Sequence, residues 1–301
     1  MSHVSATEPR CTSKSGIIAL TIEARVRDLD GSPVRRVLPS ASRRMVGPFI
    51  FFDHFGPTIY APGTGLAVRP HPHIGLATVS YLFEGEIMHR DSLGIVQPIR
   101  PGAVNLMTAG RGIVHSERTA TDLDGPLRLH GLQLWLALPD EQESCSPAFE
   151  HIDASRLPVF KRDGVSGKLI IGEAYQMRSP VEVFSKTLFM ECAMANGSQL
   201  TLPDDCAELA IYVVDGELRI ADEIIGGGTM AVACPDHPIT VEANKHSRIA
   251  IVGGDPVGKR HIWWNFVATT KERIEKAKTD WQQQRFEKVP GDNEFTPLPE
   301  R

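Results

Sequence analysis

The sequence predicts an all-β chain of two antiparallel β-barrels followed by one C-terminal α-helix. Three observations carry that expectation. Short apolar or alternating stretches (IIALTIEARV, GPFIFFDHFGP, ATVSYLFEGEI, AVNLM, LRLHGLQLWLALP) are punctuated at regular spacing by Gly, Pro and Asp, the pattern of a small barrel. The second half repeats the first: SYLFEGEI at 80–87 aligns with IYVVDGEL at 211–218, setting Gly85 opposite Gly216. Helical periodicity is clear only at 269–286, where Ile274, Ala277, Lys278 and Trp281 share a face and Thr269 with Glu272 reads as a capping box.

Taken in order, residues 1–15 are polar and small and read as a mobile arm, and residues 16–138 form the first barrel. Its apolar stretch at 47–57 runs into a polar tip at Asp53 and His54, which either line the mouth of a pocket or cap a turn. In RPHPH, Pro70 and Pro72 flank His71. Proline cannot donate to a ladder, so this strand belongs at a sheet edge or bulge. The next strand turns at Glu84-Gly85, and His89 follows as a loop residue or a support for the site. TAGRG makes a glycine turn before His115, and the absence of a following helix argues against a phosphate cradle. His130 and Gln133 fall on opposite faces of one strand, each a core hydrogen-bonder or a substrate contact. Residues 139–147, charged and proline-bounded, read as a linker. Residues 148–266 form the second barrel. Residues 267–301 form the helix and an irregular tail, preceded by the sticky Trp263, Trp264 and Phe266.

Chemistry concentrates in two pairs. In a strand, residues i and i+2 project from one face, so His71 with His73, and His115 with Glu117, each aim at one point. A lone His-x-His is more often a hydrogen-bonding pair than a ligand pair. Two such pairs on neighbouring strands can hold one divalent ion through three nitrogens and a carboxylate oxygen. The repeat sets His71, His73 and His115 against Leu202, Asp204 and Thr240, with Glu117 against Glu242. The second barrel is therefore expected to lack the ligand set and to serve structure.

Composition narrows the rest. A length of 301 residues with 42% hydrophobic content suffices for two cores. The 32 Lys and Arg against 37 Asp and Glu include no dense basic block, which disfavours direct nucleic-acid binding. Five scattered cysteines without a CxxC pair fit a reducing compartment and no disulfide framework. No apolar run approaches the ~20 residues of a membrane span, and the N-terminus has no signal-like apolar region. The expectation is a cytoplasmic protein without membrane contact.

The run HPHIGL, VSYLFEGEI, MTAGRGIVHSE and HGLQLW resembles the pirin family of bicupins, and residues 263–292 are similar to bacterial pirins. Ala77 and Thr78 stand where generic cupins usually place a Glu. The resemblance implies that Glu117, from the second cupin motif, supplies the carboxylate instead. It also implies two cupin-type barrels, with one metal at His71, His73, His115 and Glu117 in the first. Iron(II) is the metal it implies, although imidazole and carboxylate equally suit Mn, Ni, Co, Cu or Zn. Two functions follow from the likeness. One is a dioxygenase of the quercetin 2,3-dioxygenase type acting on a small aromatic flavonol, with Glu117 accepting the 3-hydroxyl proton. The other is a metal- or redox-responsive regulator binding a protein partner, either an enzyme or a transcription factor.

Overall fold

The computed structural model describes residues 16–29, 32–119, 126–234 and 238–300, so the expected arm at 1–15 lies outside the described residues. Two compact units emerge, and the described strands include two seven-stranded and two four-stranded sheets, the paired-sheet cupin pattern built twice. The repeated turns carry the same backbone: Gly85 and Gly216 both have φ +90°. A Cβ at Gly85 would lie 2.3 Å from the Arg128 carbonyl oxygen and one at Gly216 2.2 Å from Ser247 Oγ, so only glycine fits either turn.

One unit comprises Val26–Val34, Asp53–Ala154 and Val257–Arg301, the other Met1–Arg25, Arg35–Phe52 and Ser155–Pro256. By their contacts, the two units are interleaved along the chain. Strand Ile18–Glu23 pairs with Thr229–Ala233, while the helix and the hairpin His261–Trp263/Phe266–Ala268 belong with residues 53–154. Residues 139–147, expected as a linker, lie inside that unit. There Asp140–Gln142 forms a 3₁₀ turn, and the buried Glu143 carboxylate accepts from Thr269 N at 2.7 Å and Thr269 Oγ1 at 2.8 Å.

That use of Thr269 moves the helix cap by one residue. Helix α1 spans Lys271–Gln282, and Thr270, not Thr269, caps it by accepting from Arg273 N. Ile274, Ala277 and Trp281 are buried against Phe266, Trp264 and Val289, and Lys278 lays its Nζ 4.7 Å from the centre of the Trp263 ring. Among the described residues, no helix is long and apolar enough to cross a membrane.

The second unit has an apolar interior that includes Leu200, Leu202, Val213, Leu218, Val241 and Ala243. Thr240 and Glu242 point outward: Thr240 meets Thr201 Oγ1 at 3.0 Å, and Glu242 accepts from Gln199 at 2.8 Å and pairs with Arg219. Matching Thr240 and Glu242 to His115 and Glu117 is therefore one residue out in facing. Side chains alternate with a period of two, so that offset turns the whole strand over, and Val241 and Ala243 hold the inward places. Cys234 is disulfide-bonded, against the expectation of no disulfide framework, while Cys145, Cys192 and Cys206 are free.

Candidate metal centre

The site forms on the four-stranded sheet ordered Ala67–His73, Ile113–Arg118, Ile87–Asp91, Val96–Ile99. His71 pairs across the ladder with His115, but Glu117 pairs with Val68, so Arg69 and Pro70 together oppose Ser116. Pro70 has no N–H for the ladder, and the edge strand bulges there. The bulge leaves the Arg69 carbonyl 2.8 Å from His71 Nδ1. His73 Nδ1 lies 3.2 Å from the Asn265 carbonyl, and the Trp135 ring packs edge-on against His73 at 5.1 Å.

Those two carbonyls determine the protons. A carbonyl only accepts, so each Nδ1 donates and each Nε2 of the neutral rings presents a lone pair to the barrel interior. His115 Nε2 stands 3.1 Å from His73 Nε2, and the donor atoms of His71, His73 and His115 all lie within 4.8 Å of one another. Two nitrogens each about 2.1 Å from one ion at a right angle lie about 3.0 Å apart, so the spacing suits a shared cation. Burial, reinforced by the positive charge His71 would carry, pushes His73 and His115 well below the ordinary histidine range. Neutral imidazole is the ligating form, and the donor set fits a divalent transition ion.

Glu117 is also buried, but it joins a second triad, His89–His115–Glu117, that shares only His115 with the first. The four expected ligands do not close into one group at that spacing. Burial raises the Glu117 carboxyl above its ordinary value, partly offset by His89 and by a hydrogen bond from Ser80 Oγ at 3.3 Å. Ser80 Oγ also lies 2.8 Å from Gln133 Oε1. Glu117 and Gln133 line an open cleft whose other walls include Phe55, Tyr60, Leu66, Val68 and Leu129. A mostly apolar cleft with a few polar groups is the usual form of a small-molecule site.

Gln133 is therefore the member of the His130/Gln133 pair that faces the cavity; His130 Nε2 lies 2.7 Å from His54 Nε2. Asp53 and His54 are buried within the strand Phe49–Tyr60, which continues past them, and neither lines the cavity. His89 is no loop residue. It sits in Ile87–Asp91, 2% exposed, with Nε2 3.0 Å from Asp91 Oδ2 and Nδ1 3.4 Å from His115 Nδ1. His89-x-Asp91 has the same two-residue spacing that flagged the other pairs, so the signal was present in the sequence. Ser80 and the Asn265 carbonyl carry no such signal.

Residues 31–136 match the Pirin family profile and residues 189–287 the Pirin C-terminal cupin domain. A pirin-like protein of Caulobacter vibrioides is 43% identical over 94% of this chain and 100% of its own length. A crystal structure of quercetin 2,3-dioxygenase from Acinetobacter baumannii superposes with a TM-score of 0.88 at 34% identity, covering 95% of this chain and 96% of that one. The bacterial pirin YhhW from Escherichia coli, crystallised with nickel(II), shares the fold at a TM-score of 0.64 and 18% identity, over 79% of this chain and 99% of its own. With both barrels matched in chain order and a relative aligned nearly end to end, this chain belongs to the pirin family.

Proposed function

We propose that this pirin is a metal-dependent dioxygenase that takes a flavonol such as quercetin, with His71, His73, His115 and Glu117 holding iron(II). One observation carries the reading: the buried carboxylate of Glu117 stands at once beside the histidine cluster and on the wall of an apolar cavity. The likeness to the A. baumannii quercetin 2,3-dioxygenase supports the same substrate class. An ion held by these residues would supply the Lewis-acid and redox chemistry that dioxygen incorporation requires.

The chain's own residues supply binding and proton handling. Phe55, Tyr60, Leu66 and Leu129 offer apolar walls to a planar aromatic body and exclude water from it. Glu117, its carboxyl raised by burial, accepts the acidic 3-hydroxyl proton of the flavonol. Once protonated, it can donate to Ser80 Oγ while Ser80 keeps its own proton on Gln133 Oε1, so no polar group in the relay is left unpaired.

The test measures dioxygen uptake and carbon monoxide release with quercetin for the iron-loaded parent and for Glu117→Gln. The amide retains an oxygen for coordination but has far too little basicity, so the variant should keep most of its metal and lose about 10²–10⁴ in rate. Turnover by the parent no faster than that of free iron in buffer would reject the enzyme and leave a metal-responsive binding protein as the better reading.

A further inference from the structure

We propose that Asp91 and His89 form a tautomer lock that turns the Nε2 lone pair of His115 toward the metal position, making both of them positioning residues and neither a ligand. The proposal rests on the metal-centre reading above. The chain of reasoning starts at Asp91, which is fully buried. Its Oδ1 accepts from Leu93 N at 2.9 Å and Ile95 N at 3.1 Å, and its Oδ2 lies 3.0 Å from His89 Nε2. A carboxylate in such a setting only accepts, so His89 Nε2 carries the proton and, in the neutral ring, His89 Nδ1 is a lone pair.

That lone pair faces His115 Nδ1 at 3.4 Å. Two facing ring nitrogens need one proton between them, and His89 has none to give on that side. His115 Nδ1 therefore donates, and His115 Nε2 is left as a lone pair 3.1 Å from His73 Nε2. His73 Nε2 is itself unprotonated, because His73 Nδ1 donates to the Asn265 carbonyl. Lone pairs pointed at one another this closely repel unless a cation lies between them. The three-residue chain thus does for His115 what the Arg69 and Asn265 carbonyls do for His71 and His73. An outer partner of this kind fixes both the tautomer and the ring orientation of a ligating histidine.

The strands make the lock possible. Asp91 pairs with His115 and His89 with Glu117 across the ladder, and the Phe149 ring stacks on His89 at 4.6 Å and holds its plane. The proximity of His89 to Glu117 and His115 could suggest a second ion. Both nitrogens of His89 are already engaged, one with Asp91 and one with His115, so it has no lone pair to spare.

The experiment uses the full chain and Zn(II), which is diamagnetic and needs no turnover. In Asp91→Asn, the amide oxygen stays on the two backbone N–H groups and the amide nitrogen turns to His89 Nε2. His89 must then carry its proton on Nδ1, and His115 is driven to protonate Nε2 at the metal position. Zn(II) affinity measured against a chelating indicator should fall about 10–100-fold. In His89→Asn, the amide oxygen takes the place of Nδ1 and accepts from His115 without help from Asp91. Affinity should stay within a few-fold of the parent, and adding Asp91→Asn should cost nothing further. Parental affinity in Asp91→Asn, or an undiminished loss on adding it to His89→Asn, would overturn the lock. So would a second Zn(II) per chain that disappears with His89→Asn.

Imidazole ¹⁵N shifts of the parent, with and without Zn(II), read the tautomers even where a variant does not fold. His89 protonated at Nε2 and His115 at Nδ1 is the expected result; His89 protonated at Nδ1 overturns the lock alone. His73→Ala separates the two readings. Saturable Zn(II) binding lost in that variant upholds the metal centre whatever His89 does, whereas no saturable binding by the parent overturns both.

Discussion

His73 is almost fully buried and held neutral, its Nδ1 proton fixed by donation to the Asn265 carbonyl, which leaves the Nε2 lone pair facing the metal position. A side chain so placed has little to do for the apolar core around it, so its removal should read out in metal binding before it reads out in folding. His71→Ala, His73→Ala and His115→Ala should each weaken Zn(II) or Fe(II) binding by more than about 100-fold, exceeding the 10–100-fold of an outer-shell loss, with the far-ultraviolet strand signal unchanged. Metal content after anaerobic loading checks this, and unchanged occupancy in His71→Ala and His115→Ala would reject the site. These residues were legible in the sequence because a two-residue spacing on a strand is a local property. Ser80 and Asn265 were not, because each acts only through an atom that the fold brings to it.

At the scale of elements, the irregular tail is tied down at the strand that carries His115. Arg118 donates to Asp292, and its other nitrogen lies 3.0 Å from Glu294. Trp281 Nε1 donates to the Thr296 carbonyl at 2.9 Å, and Phe295 stacks on the Trp281 ring at 4.6 Å. Burial works most strongly against the Asp292 charge, yet the hydrogen bonds from Arg118, the Glu294 backbone and Ser116, together with the Arg118 charge, outweigh it and hold the carboxyl below its ordinary value. A carboxylate depressed in the folded state stabilises above its unfolded pKa of about 3.9, and that contribution is lost as pH falls through the lower folded value. Asp292→Asn should therefore cost about 1 kcal/mol at pH 7. The gap from the parent should close as pH drops below about 3.9. Urea unfolding at several pH values checks both; a gap that persists at low pH would assign the loss to packing. At the other end of the helix, Thr270→Ala should cost about 1 kcal/mol, while Thr269→Ala should act through Glu143 and not through the cap.

For the whole molecule, the two units share a plan of sheets but differ in what fills them. Leu200, Leu202, Val241 and Ala243 occupy the interior of the second unit with apolar side chains. One ion per chain is the expected stoichiometry, and a value near two, with the second ion lost on Glu242→Ala, would contradict it. Because each unit has its own core, chelation should leave the strands intact. Apparent stability should fall only by the mass-action amount, about 2.7 kcal/mol when free metal had stood at 100 times its Kd. Thermal unfolding before and after chelation, followed by circular dichroism, measures this.

By itself the sequence determined the strands and their turns, the repeat anchored at Gly85 and Gly216, the helix around Ile274 and Trp281, and the two pairs His71-x-His73 and His115-x-Glu117. All of these rest on short-range periodicity or on a turn that only glycine can make. Tertiary structure decided which unit each terminal strand joins, which way Thr240 and Glu242 face, and what Glu143 and His89 do. It also chose the partner that orients His73, a carbonyl 192 residues away. The physical reason is common to all of them. A bulge, a ladder register or a hydrogen bond between distant segments is set by packing against the other strand, and one residue of offset reverses which side chains reach the interior.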